Sequence, residues 1–302
     1  MKIKNMLIAH VFLFILLSIL LLIPKQRPMV KDSGAMLVAI VLIETIFLIA
    51  VASNKTADKG AYDIVTFIWI FFIIWELTTS VYNIGHPVLA PSPENVFKVF
   101  QVQWQKLLLN VVYSLRLLFS GLFLGLTSAI FLGLFAGWIT RLKNFTQPIA
   151  NVMAPIPAVV FSPYLVSVMP SFRSASMLVI FLGVFWPTFL TTINRIAFIE
   201  PQILDTARSF NLSHSIMIRK ILLPYILPGV VSGSKITLTT SLLMLNFAEL
   251  MGATHGMGYY VQNSITYANY THAVAGIIVI GIVVTVLNIW VTKIQKHAIG
   301  WR

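Results

Sequence analysis

Apolar stretches separated by short polar segments run the whole length of the chain. They fall at 6–23, 35–52, 64–82, 108–138, 148–168, 175–194, 225–250 and 273–292, each near or above the roughly 20 residues a helix needs to cross a hydrocarbon layer. Lipid offers no water to the backbone, so each stretch must satisfy its own hydrogen bonds as a helix. The pattern predicts an all-α, polytopic integral membrane protein with about eight crossings. Two stretches are irregular: 108–138 is longer than one crossing requires, and 148–168 is interrupted by Pro155, Pro157 and Pro163. Between spans, His86 to Pro93 reads as a turn, and Val96, Phe97, Val99 and Phe100 then mark a helix lying at the membrane surface.

Composition agrees with this picture. Of the 302 residues 58% are hydrophobic and 10% charged, with mean hydropathy +0.89, against about a quarter charged in a soluble chain. The formal net charge of +12 would raise nucleic acid as a partner for a soluble protein. Here the basic residues gather at span ends, where they orient a membrane protein, and no nucleic-acid module is visible. An even number of crossings puts both termini on one side, and Lys2, Lys4, Lys293, Lys296 and Arg302 make that side cytoplasmic. Lys55, Lys59, Arg141, Lys143, Arg195, Arg208, Arg219 and Lys220 then fall inside, while 251–272, without Lys or Arg, falls outside. Loop 24–34 conflicts, because Lys25, Arg27 and Lys31 would lie outside. The N-terminal run resembles a signal peptide but ends Leu21-Leu22-Ile23-Pro24 with no small residues for cleavage, which makes it a retained first span.

Candidate chemistry is sparse. Cysteine is absent, the histidines are scattered, and no metal or cofactor site is expected. The stretch Gly229 to Lys235 misses the spacing of a phosphate-binding loop, so no nucleotide site is expected. Gly121, Gly125, Ala129, Gly133 and Gly137 form a four-residue ladder on one ridge of span 108–138, suited to close helix packing. Charged groups inside spans are costly and face a bundle interior or water. Glu44, Glu76 and Glu249 lie in spans; Glu249 sits beside Asn246 near the end of its span and admits a hydrogen-bonding or a pathway-lining role. Lys235 is expected to reach the interface. Prolines at membrane depth free backbone groups that must find partners or line a cavity, which makes Pro155, Pro157, Ser162 and Tyr164 pathway candidates.

The segment from Asn194 to Pro224 is far longer than a turn between spans requires. Pro201 suits the first turn of a helix through Phe210, Asn211 a left-handed end, and Ser213 the N-cap of a second helix to about Leu222. Ile203, Leu204, Ala207 and Phe210 share one apolar face. Such a helix can dock into a groove on another protein or lie on lipid headgroups.

The segment resembles the EAA loop of ATP-binding-cassette importer permeases. Asp205-Thr206-Ala207 stands for the E-A-A, Asn211 for the Gly, and Ile221-Leu222-Leu223-Pro224 for the ending, with the spacing kept. Glu to Asp keeps the charge, Thr is small, and Asn follows Gly in tolerance for a left-handed helix end. Over roughly residues 64–302 the chain is similar to the nitrate, sulfonate and taurine group of permeases. Ala90 to Pro93, Ser114-Leu115 with Gly121 and Gly125, Met153 to Pro157, Glu249 with His255 to Gly258, and the tail from Asn288 to Trp301 carry that similarity. Arg116 stands one place early.

The resemblance implies a six-span permease core, 61–302, carrying an ATPase-coupling loop at 195–224 and preceded by an extra two-span region, 1–60. Asp205, Thr206, Ala207, Arg208, Asn211, Leu212, Ile221 and Pro224 would form the coupling segment. It implies a passive subunit in a prokaryotic cell membrane, not an enzyme. Its partners would be cytoplasmic ATPase subunits, a second permease subunit and an extracytoplasmic substrate-binding protein. The alternative is an ion-coupled secondary transporter, for which only Glu44, Glu76 and Glu249 are available as coupling groups.

Overall fold

A computed structural model describes residues 2–28, 30, 32–53, 59–210 and 212–299. Lys31, Lys55, Asn211 and the end of the tail, Trp301 included, lie outside the described residues. Among these the regular structure is helical throughout: α1 Lys2–Leu22, α2 Gly34–Ser53, α3 Lys59–Glu76, α4 Pro93–Trp138, α5 Thr140–Met153, α6 Ser162–Val168, α7 Phe172–Ala197, α8 Pro201–Ser209, α9 His214–Ile216, α10 Leu223–Leu250, α11 Met257–Thr266 and α12 Tyr270–Ile299. Seven helices among the described residues are long and apolar enough to cross a membrane, and the pair α5 and α6, bent by 81°, is an eighth candidate. The chain groups into two compact units, Met1–Leu108 with Val261–Ile278 and Leu109–Tyr260 with Val279–Arg302.

In the first unit α1, α2 and α3 share a core built on Leu16, Met36, Ile40, Tyr62, Val65 and Trp69. The two extra spans expected at the N-terminus are therefore packed helices, joined to the span that follows. At mid-span His10 Nε2 meets Glu44 Oε1 at 3.2 Å, while His10 Nδ1 bonds Met6 O at 2.8 Å. Glu44 thus finds a polar partner across the hairpin instead of facing hydrocarbon. Span α3 ends in a π-helical turn, Leu77–Val81. The helix expected after the 83–92 turn begins at Pro93 and is joined to the helix of the next apolar stretch across a kink at Gln103, whose backbone is non-helical (φ −116°, ψ 21°). The Gln103 side chain bonds His272 at 2.8 Å.

In the second unit the small-residue ladder of α4 lies against α7. A Cβ on Gly121 would stand 2.7 Å from Ile180 Cβ, one on Gly125 3.0 Å from Val184 Cβ, and one on Gly133 2.8 Å from Thr192 Cβ. Gly137 meets Ile196 in the same way. Both residue numbers rise together along the contact, so α4 and α7 run parallel. The chain must then cross back between them, and the bent pair α5 and α6 is that crossing. Its bend lies at Pro155 and Pro157, which remove two backbone donors; Ala154 is still helical (φ −63°, ψ −38°), and the chain turns extended at Pro157 (φ −62°, ψ 119°). The chain restarts helically at Ala158–Phe161 and α6. Ser171 and Ser174 cap α7 reciprocally, at 3.2 Å and 3.3 Å.

Helix α10 runs antiparallel to α7, with Ile226 beside Ile196 at one end and Met244 and Ala248 beside Val179 and Ala175 at the other. Near the Ile226 end, Gln295 of α12 donates to Val231 O at 2.9 Å.

Replacing Gly121 or Gly133 with Ala places a methyl inside the contact distance of a β-branched partner, and overpacking of this kind costs about 1–3 kcal/mol. Both variants are expected to lower the aggregation temperature of the detergent-purified protein. Gly281→Ala, where a Cβ meets nothing within 4 Å, leaves it unchanged or raises it; equal behaviour of the three would refute the packing account.

Candidate functional site

The loop between α7 and α10 is built around its own small core. Pro201 opens α8, and Ile203 N donates to Glu200 O at 3.0 Å, closing the first turn. Ser213 caps the next helical segment by accepting from Ile216 N at 3.5 Å. That segment is a single α-turn, α9, followed by a π-helical stretch, Met217–Leu222, which runs directly into α10. The two helices expected between 201 and 222 are both present, and the second is the start of α10. Ile196, Ile199, Ala207, Met217, Leu222 and Ile226 are buried together with Leu134. Trp138, at the end of α4, donates from Nε1 to His214 Nδ1 at 3.0 Å.

This core divides the expected apolar face of α8. Ala207 is 4% exposed and Leu204 half-buried, both turned into their own chain. Phe210 is 73% exposed, and Asp205 and Thr206 also face outward. Phe198, just before the helix, is exposed as well. Leu212 and Ile221 are half-buried in the same small core. The loop therefore presents two phenylalanines and the outward face of α8 around Asp205 and Thr206 from a seat built on its own small core.

At the far end of the same unit Glu249 is buried at the end of α10. Ser114 Oγ donates to its Oε1 at 2.6 Å and Gly258 N to its Oε2 at 2.7 Å. Met257 N in turn donates to Ser114 Oγ at 2.8 Å, and Gly256 N to Asn110 Oδ1 at 2.8 Å. The carboxylate thus satisfies one orphan N–H at the start of α11, that of Gly258, and, through Ser114, ties α4 to α10. Gly256 has φ +127°, and a side chain there would overlap the Glu249 carboxylate. Burial pushes the Tyr260 phenol of α11 up to about 12, so it stays protonated.

Of the other pathway candidates, Pro155, Pro157 and Tyr164 are exposed, whereas Ser162 is buried at the head of α6. Asn246 is half-buried and donates to Leu242 O at 2.8 Å. The buried Ser162 Oγ and Asn246 Oδ1 have no hydrogen-bond partner. Lys235 is exposed.

Residues 125–299 match the family described as binding-protein-dependent transport system inner membrane component. The chain belongs to this family. It is 24% identical over 235 residues, 77% of this chain and 85% of the relative, to the putative aliphatic sulfonates transport permease SsuC of Bacillus subtilis. To the taurine transport system permease TauC of Escherichia coli it is 23% identical, covering 82% of this chain and 90% of that one. The inward-facing MetNI methionine ABC transporter has a chain of the same fold, with TM-score 0.53 and 20% identity over 65% of this chain and 98% of that one.

The chain is therefore a membrane-spanning permease subunit of an ATP-driven importer, and ATP hydrolysis belongs to a separate partner. The family match lends nothing to the ion-coupled alternative. Reasoning from sequence found Glu249 and Ser114 but missed Asn110, which lies within a long apolar helix. The roughly three helical turns that separate Asn110 from the ladder, and its place one turn before Ser114, were the available signals.

Replacing Gly256 with Ala adds backbone strain and displaces the carboxylate, an expected loss of about 2 kcal/mol or more. The variant should show a clear drop in aggregation temperature, while Gly233→Ala, in open space, should not.

Proposed function

We propose that this permease couples to its ATPase through the outward surface of α8 and its flanks, with Phe210, Asp205, Thr206 and Phe198 making the contact. Ala207, Leu204, Leu212 and Ile221 hold that surface in place, and Pro224 with Leu222 carries movement into α10. The observation that supports this reading is a short helix whose inward face is satisfied by its own chain while large apolar side chains stand outside it. Exposed phenylalanine on a preformed seat is what a helix-in-groove contact requires. The continuous π-to-α passage from Met217 into α10 gives a displaced loop a direct mechanical connection to a membrane helix.

In this reading the loop and both termini are cytoplasmic, and two permease subunits, two ATPases and an extracytoplasmic binding protein make the working assembly. The face of α10 carrying Ser232, Lys235, Ile236, Thr239, Leu243 and Phe247 is exposed along its whole length. Its mixture of polar and apolar groups suits a second subunit and a water-filled path between the two better than lipid. Ser162, Tyr164 and Asn246, with Pro155 and Pro157 at the bend, are assigned to that path. Relatives named for sulfonates, taurine and nitrate make a small oxyanion the substrate class to test first.

Phe210→Glu tests the coupling surface. The variant should retain the parent's aggregation temperature, lose co-purified ATPase by at least about tenfold, as the loss of a buried aromatic anchor implies, and stop uptake. ATPase retained at the parent level, or uptake that continues with no ATPase present, refutes the proposal. Ala207→Arg, by contrast, should lower the aggregation temperature itself, because that side chain is already buried.

A further inference from the structure

The loop between α1 and α2 carries the cations that conflict with an outer placement, and none of the described ones is free. Lys25 Nζ forms an ion pair with Glu94, lies 3.6 Å from Glu76 Oε1, and donates to Ser33 Oγ at 2.6 Å. Glu76 and Glu94 are both 0% exposed, and Lys25 retains 14% of its side-chain surface. Ser80 Oγ donates to the other oxygen of Glu94 at 2.7 Å.

Arg27, 4% exposed, reaches a second set of acceptors. Its Nε donates to Asn83 Oδ1 at 2.9 Å, Nη1 to Ala90 O at 2.5 Å and Nη2 to Gly85 O at 3.0 Å. Its backbone N donates to Ser80 O at 3.3 Å, satisfying a carbonyl in the π-helical turn that ends α3. Burial holds the Arg27 guanidinium below its ordinary value, and the charge of Glu94 opposes that shift. One cation of the loop thus meets the two carboxyl groups at the end of α3 and the start of α4, and the other meets the acceptors of the 82–92 loop.

We propose that Lys25 and Arg27 form a basic plug beside the carboxyl pair at the end of α3 and the start of α4, and that the added two-span hairpin is the clamp that holds the 82–92 loop in its conformation. The hairpin supplies what this part of the permease lacks. Without Lys25, Glu76 and Glu94 are two buried carboxylates with no described lysine or arginine paired to them. Without Arg27, the carbonyls of Gly85 and Ala90 and the side chain of Asn83, whose φ is +47°, lose the donor around which the loop folds. A buried carboxylate stripped of its cation is strongly destabilising, whereas neutralising both sides of the pair is much less so. The same contacts take Lys25 and Arg27 out of the objection to an outer placement of this loop, because both are committed to protein acceptors and are not offered to anionic lipid.

The full-length protein in detergent tests the plug, with no ATPase needed, so the outcome is independent of the coupling proposal. Lys25→Met should lower the aggregation temperature by about 5 °C or more, and Lys25→Met with Glu94→Gln should recover more than half of that loss. If Lys25→Met does not accumulate, accumulation of the double variant is the readout. Arg27→Met should open the 82–92 loop to added protease under conditions in which the parent resists. A Lys25→Met protein as stable as the parent, a double variant no better than the single, or a loop that stays protected in Arg27→Met overturns the proposal.

Discussion

The close parallel contact between α4 and α7 is the constraint from which the larger unit follows. It requires near-absence of side chains on one ridge, because Ile180, Val184 and Thr192 already fill the space where a Cβ would stand. Two parallel neighbours need a return crossing between them, and the chain makes it through a proline-bent pair. The same contact ends α4 at Trp138, where the indole meets His214, and places Leu134 in the core under α8. The loop that faces the ATPase in the proposed function is thus seated on the end of the packed pair, and a shift of one helix against the other would be felt there.

Polar groups in this protein follow one rule, set by the cost of leaving a charge unpaired in an apolar medium. Glu249 is satisfied by Ser114 and by the Gly258 N–H in the first turn of α11. Glu44 meets His10, and Glu76 and Glu94 meet Lys25. Each of these groups joins two segments distant in sequence, so each acts as a fastener between helices. The carboxylates that an ion-coupled mechanism would have used are engaged in structure, which fits a subunit whose driving force arrives from a partner.

The fold class was legible from hydropathy alone, because continuous apolar runs of about 20 residues satisfy a spanning backbone in lipid as helices, whereas barrel strands are about half as long and alternate. The ladder in α4 was legible as a packing surface for the same kind of reason: a period of four places small residues in line, and only packing uses such a line. The boundaries of α8 and the cap at Ser213 followed from proline and serine at positions where their chemistry is specific. Periodicity did not reveal that Leu204 and Ala207 turn inward while Phe210 stays outside. An apolar face names a stripe but not its occupant, and here two occupants share it.

The sequence by itself determined that this chain is a bundle of membrane helices with one specialised loop, since both depend on local chemistry: run length, helix ends and spacing. Only the tertiary structure decided which charges are spent on one another. Lys25 and Glu94 are separated by 69 positions and Ser114 and Glu249 by 135, and no local pattern marks such pairs. Their meeting depends on how helices pack in three dimensions, and that packing commits Lys25 and Arg27, two of the cations in loop 24–34, to buried partners.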